Sequence, residues 1–134
     1  MMHYLTMLPQ FAIWFSVAAG MLTAFILLYN WLTPWHDMAL IRQGNVAAAC
    51  SFSGAMLGYS VVLASIISGA TSRGDLLSWG IVGVFVQLLA YGVGRLMLGA
   101  GLRARMEAGD LASGMLLGAL ALAAGIINAA TMLY

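Results

Sequence analysis

Nine charged residues divide this 134-residue chain into four long stretches that contain none. The charges are Asp37, Arg42, Arg73, Asp75, Arg95, Arg103, Arg105, Glu107 and Asp110, and the uncharged windows between them run over 1–36, 43–72, 76–94 and 111–134. Each is dominated by Ala, Leu, Ile, Val, Met, Phe and Gly. A spanning helix needs about 20 predominantly apolar residues to cross the hydrocarbon of a bilayer, and each window supplies that length, the third only just. With 63% hydrophobic and 7% charged residues, the chain lacks the polar material to coat a water-exposed domain, which uses roughly 25% charged residues. The pattern predicts an all-α integral membrane four-helix bundle that consumes nearly the whole length and leaves no room for a soluble catalytic domain.

The spacing places spanning helices at about 10–31, 46–69, 76–98 and 111–132. Pro9 is expected to precede the first and Thr33-Pro34 to end it, since proline cannot continue the hydrogen-bond ladder. Gly44-Asn45 and Gly109-Asp110 read as a turn glycine followed by a helix cap, and Asp75 reads as a cap in the turn Thr71–Asp75. Glu107 and Asp110, near the start of the last helix, suit its dipole better than catalysis. The N-terminus has no Lys or Arg before its first apolar run, which favours a retained helix over a cleavable signal peptide.

An offset of 65 residues aligns Trp14 with Trp79, Gly44 with Gly109, Asn45 with Asp110, Ala47 with Ala112 and Leu57 with Leu122. This suggests an N-terminal segment 1–9 followed by two tandem two-helix repeats, 10–70 and 71–134. A two-helix unit returns to its starting side, so the repeats would be parallel. Chance similarity between membrane hairpins is the alternative. Arg42, Arg95, Arg103 and Arg105 gather on the side of loops 33–44 and 99–110, against Arg73 on the other. The arginine excess puts those loops in the cytoplasm and both termini outward. Trp14 and Trp79 would then mark the outer interface, Trp31 and Trp35 the inner one, with Arg95 snorkelling from the third helix.

Small residues recur every three or four positions on all four helices. The second carries Ala47, Ser51, Gly54, Gly58, Ser65 and Ser68. The third carries Gly80, Gly83, Gln87, Ala90 and Gly94; the fourth, Gly114, Gly118, Ala121, Gly125 and Asn128; the first, more weakly, Ser16, Gly20, Thr23 and Asn30. In lipid, helices associate by close packing, and small residues let backbones approach. The seams therefore predict a tight bundle, and any seam that points outward predicts a homo-oligomer.

Gln87 lies near the midplane within its seam. It reads as an interhelical hydrogen bond or as a solute contact, as do Asn128, Ser51 and Ser65. No ionisable residue lies deep in any window, which argues against proton relays and ion-coupled transport; a passive pore stays open. His36-Asp37 has no nucleophile at defined spacing, His3 and His36 have no metal-ligand companions, and the single cysteine, Cys50, reads as a packing residue. No cofactor, metal or nucleic acid is implied.

The stretches Leu40-Ile41-Arg42-Gln43-Gly44-Asn45-Val46-Ala47-Ala48-Ala49, Gly54-x-x-x-Gly58, Trp79-Gly80, Val86-Gln87-Leu88, Arg95 and Gly125-Ile126-Ile127-Asn128-Ala129-Ala130 resemble the bacterial YjfL-like proteins, domain-of-unknown-function family 350, over residues 10–132. The resemblance implies an inner-membrane protein of two tandem two-helix units and no assigned activity. It also implies genetic proximity to PspA-like membrane-remodelling proteins, hence a role in envelope maintenance. The expected function is a non-enzymatic, oligomerising scaffold or recruitment component with membrane lipid around it and a PspA-like or other cytoplasmic envelope protein as partner. Arg42, Arg103 and Arg105 are the expected partner contacts. A passive channel for an ion or small solute is the alternative.

Overall fold

The computed structural model describes residues 2–69 and 73–132. They form six helices: α1 (Met2–Leu32), α2 (Asp37–Arg42), α3 (Val46–Gly69), α4 (Arg73–Leu98), α5 (Leu102–Glu107) and α6 (Leu111–Thr131). Four of them, α1, α3, α4 and α6, are long and apolar enough to cross a membrane. Among the described residues there is no strand. Thr71 and Ser72, in the turn expected before the third spanning helix, lie outside the described residues.

Three local expectations are corrected. Residues 2–9 are not a separate segment: they are the start of α1, and Pro9 lies inside the helix. At about 1.5 Å per residue, this 31-residue helix is roughly 46 Å long against a hydrocarbon core of about 30 Å. Its first turns therefore reach beyond the apolar layer, where water can bond the carbonyl that proline leaves unpaired. Asp75 does not precede α4, which begins two residues earlier; it sits in the first turn, where the dipole favours a carboxylate. The two loops at the arginine-rich end are not irregular, because each carries a six-residue helix, α2 or α5. Glu107 accordingly ends α5 instead of opening α6.

The centre of the bundle is the pair α3 and α6. Ala47 meets Gly114, Cys50 meets Gly118, and Gly58 meets Gly125, while Ser65 Oγ donates to the carbonyl of Ala129 at 3.1 Å. Contacts that advance together along both helices mean that the two run parallel. Both helices supply glycine where they cross, so backbone lies on backbone. α4 packs into the groove beside them. Gly94 faces Leu117, Gly83 faces Val62 and Tyr59, and Tyr59 Oη donates to the carbonyl of Gly80 at 2.9 Å.

α1 docks through aromatic rings rather than a seam. Phe25 stacks on Tyr59 with centroids 4.5 Å apart, and Tyr29 meets Phe52 and Tyr91 edge-on. Three members of its predicted small-residue face, Ser16, Gly20 and Thr23, are exposed, and a Cβ on Gly20 would meet nothing within 4 Å; the fourth, Asn30, is half-buried and accepts from the backbone N–H of Met38 at 3.1 Å. Phe15, Leu27, Leu57, Phe85, Leu89 and Ile127 project outward from the four spans, all more than half exposed. Such an apolar exterior is stable in lipid and would aggregate in water.

At the arginine-rich end, α2 and α5 fold back over the bundle. Trp35, expected in the interfacial aromatic belt, is instead 2% exposed and packs with Ala47, Leu102, Met106 and Leu117. Trp31 is 77% exposed, as a belt residue would be.

Candidate functional site

Five residues at this end adopt left-handed backbone. Gly44, Gly99, Gly101 and Gly109 have φ of 85°, 74°, 84° and 81°, and His36 adopts φ 54° without the freedom of glycine. His36 precedes α2 and swings the chain so that Asp37 turns inward. The Asp37 carboxylate is fully buried. It accepts from Thr33 Oγ1 at 2.8 Å and from Trp35 Nε1 at 2.7 Å. Burial pushes its pKa up from the ordinary carboxylate value, against the lowering effect of those two hydrogen bonds. Beneath it, Trp35 lies 5.8 Å from Tyr91, and Arg95 Nη1 reaches Tyr91 Oη at 3.5 Å. The sequence places Asp37 in a loop beside His36 and does not reveal that it is buried. The available signal was Thr33, one helical turn before it, with Trp35 between.

The two expected caps differ. Asn45 Oδ1 accepts from the backbone N–H of Ala48 at 3.0 Å, capping α3, while Asn45 Nδ2 donates to the carbonyl of Met106 at 2.7 Å. One side chain thereby closes α3 and ties it to α5. Asp110 occupies the cap position of α6 but spends its carboxylate on the Ser113 hydroxyl at 2.6 Å.

The expected partner contacts separate. Arg42 and Arg103 are exposed. Arg103 pairs with Glu107 at 2.9 Å, both in solvent, where such a pair adds about 0.5 kcal/mol or less. Arg105 is half-buried and donates to the carbonyl of Leu98, so its guanidinium fastens the end of α4.

The intramembrane polar residues form two islands. On the arginine-rich side, Ser51 Oγ and Tyr29 Oη share a hydrogen bond of 3.3 Å in the core. On the other side are Gln87, Asn128 and Ser65. Gln87 is 1% exposed and donates through Nε2 to the carbonyl of Ala121 at 3.0 Å. Between the islands, Gly54 is pressed against the backbone of Gly118, and Leu117 is buried beside it. The structure does not join the four residues Gln87, Asn128, Ser51 and Ser65 into one lining.

The seam glycines Gly54, Gly58, Gly80, Gly83, Gly94, Gly114, Gly118 and Gly125 all face another part of the same chain. A Cβ on Gly54, Gly58, Gly114, Gly118 or Gly125 would run into backbone. On Gly80 it would meet the flexible end of Met21.

Comparison with known proteins gives a consistent picture. The sequence profile of the family described as Domain of Unknown Function (DUF350) matches residues 2–132. The UPF0719 inner membrane protein YjfL of Escherichia coli (strain K12) is 37% identical over 133 residues, covering 99% of this chain and 100% of that protein. The UPF0719 transmembrane protein YshE of Bacillus subtilis (strain 168) is 30% identical over 84 residues, 63% of each chain. No solved structure matches.

Proposed function

The chain belongs to the DUF350 family, and on that premise we propose that it is a multi-pass inner-membrane component without catalytic activity, which self-associates and supports or recruits envelope proteins at its cytoplasmic face. The observation that carries this reading is the closure of the interior. Backbone meets backbone at Gly54 and Gly118 between the two polar islands, while the exposed charge of Arg42, Arg103 and Glu107 collects on α2, α5 and their flanks. The arginine excess at that end supports a cytoplasmic location for it, with both termini outward. Self-association finds its support in α1, whose Ser16, Gly20 and Thr23 stripe is unused within the monomer. His36 is exposed while Asp37 is turned inward to Thr33 and Trp35, an arrangement that favours structure over acid–base work.

The same reading includes two tandem parallel repeats. α2 and α5 have equal length, and both are preceded by a left-handed residue, His36 or Gly101. Left-handed Gly44 and Gly109 follow, then Asn45 and Asp110, then the starts of α3 and α6. Each pair is separated by 65 residues. The parallel course of α3 and α6 is what an uninverted repeat requires.

One observation favours the alternative of a passive channel: the Gln87 amide oxygen, near the midplane, lacks a hydrogen-bond partner among the described residues. Reconstitution separates the two readings. Liposomes holding the purified protein are expected to show no ion or small-solute flux above empty liposomes. A cytoplasmic partner is expected to be retained by the native protein and lost with Arg42→Ala/Arg103→Ala. Specific flux abolished by Gln87→Leu would overturn the scaffold reading.

A further inference from the structure

Two polar atoms of opposite kind are left over in the same seam. Gln87 Oε1 is an acceptor without a donor and Asn128 Nδ2 a donor without an acceptor, among the described residues. Both side chains are more than nine-tenths buried. In hydrocarbon such atoms have no solvent to turn to, so each left unsatisfied is a substantial penalty. The Gln87 amide cannot simply be flipped, because Nε2 already donates to Ala121 and an oxygen there would face that carbonyl.

The two residues also stand at adjacent turns of the contact between α4 and α6. Asn128 Nδ2 lies opposite Gly83, 3.6 Å from where a Cβ on that glycine would stand. Gln87 follows Gly83 by one turn on α4, a rise of roughly 5–6 Å. One water accepting from Asn128 and donating to Gln87 would reach across two hydrogen bonds of about 2.8 Å each, a reach of about one helical turn. A buried water typically takes two to four polar partners, and the pair supplies one of each kind. Gly83 keeps the place narrow: a Cβ there would also meet Val62 Cγ1 at 2.9 Å and Tyr59 Cε1 at 3.3 Å.

We propose that Gln87 Oε1 and Asn128 Nδ2 together hold a single water molecule between α4 and α6, a hydration site in the half of the bundle away from α2 and α5. Asn128 is three residues from the end of α6, so that end is the nearer source of water. Onward passage stops at the Gly54 and Gly118 contact. The site is a blind niche and stands whether or not the protein recruits partners.

Nuclear magnetic resonance on the full chain in lipid nanodiscs, with labelled Asn and Gln side chains, tests it directly. The Asn128 carboxamide protons are expected to show a cross-peak to a long-lived water. That cross-peak is expected to vanish in Gln87→Met, and the Gln87 side-chain carbonyl shift is expected to move in Asn128→Leu. Absence of the water cross-peak in the native chain overturns the proposal, as does a direct Asn128–Gln87 contact in its place; neither result depends on a variant that folds. Persistence of the peak in folded Gln87→Met also overturns it. A flux assay on the same nanodisc-competent protein reports separately on the scaffold reading.

Discussion

Gly125 of α6 rests on the backbone of Gly58 of α3 so closely that it has no room for a Cβ, and a Cβ on Gly58 would in turn run into the backbone of Ala121. The contact belongs to the parallel pair that the rest of the bundle packs around. Because the obstacle is main chain rather than a movable side chain, the helices must separate to admit any larger residue. Gly125→Leu is therefore expected to destabilise the bundle by about 3 kcal/mol or more, read as a lowered midpoint in detergent-monitored unfolding. Gly80→Ala, which meets the movable end of Met21 and the Tyr59 hydroxyl at 3.3 Å but no backbone, is expected to lose less than about 1 kcal/mol. Equal losses at the two positions would remove α3 and α6 from the centre of this account.

Asn45 performs two tasks with one side chain: it caps α3 through Ala48 and holds α5 through Met106. Asn45→Ala removes both bonds. It is expected to cost about 1–2 kcal/mol and to speed amide hydrogen exchange in α5 as well as in the first turn of α3. Asn45→Asp keeps the cap and deletes the donor to Met106. Only the α5 protection is then expected to fall.

Asp37 makes stability depend on pH in an unusual direction. Its carboxyl is held above the ordinary value by burial, so the folded chain keeps a proton that the unfolded chain releases. Stability then falls as pH rises from the ordinary carboxylate value through the raised one, and is greater below that window than above it. Unfolding midpoints measured at pH values rising from the ordinary carboxylate range are expected to decline through this window. The slope is expected to flatten in Asp37→Asn, which carries no proton to release. An unchanged slope in that variant would assign the pH dependence elsewhere.

Much of this architecture was legible because lipid imposes a strict rule: charge marks the ends and small residues mark the contacts. The positions of α3, α4 and α6, the end of α1 at Leu32 and the cap at Asn45 all follow from it. The rule is weaker at the borders. Pro9 was read as a boundary because proline breaks helices in general. In α1 it sits where the helix has left the hydrocarbon, and there the break carries little penalty. Trp35 reads as interfacial because tryptophan usually is, and Asp37 reads as a loop charge. Only the fold of α2, turned by the left-handed His36, brings the indole N–H to the carboxylate and buries both. Which way a seam faces was also beyond sequence periodicity. The stripes on α3, α4 and α6 close on one another, whereas the stripe on α1 does not.

That open stripe gives the last prediction. Gly20 has no neighbour for its missing side chain, Ser16 is exposed beside it, and Thr23 satisfies its own hydroxyl by donating to the carbonyl of Ala19 at 2.8 Å. A bulky residue at Gly20 therefore has no effect on packing within one chain. It would, however, hold a second α1 away, since close backbone approach is what small-residue faces provide in lipid. Gly20→Leu is expected to leave the unfolding midpoint of the monomer within about 0.5 kcal/mol of native. The same change is expected to weaken self-association measured by energy transfer between labelled copies in liposomes by at least about tenfold, corresponding to roughly 1.4 kcal/mol. If energy transfer in the native protein does not exceed that of randomly distributed monomers, or is unaltered by Gly20→Leu, then α1 is not the oligomer contact. Since the other seams are already occupied within the monomer, self-association would then have no remaining support among them.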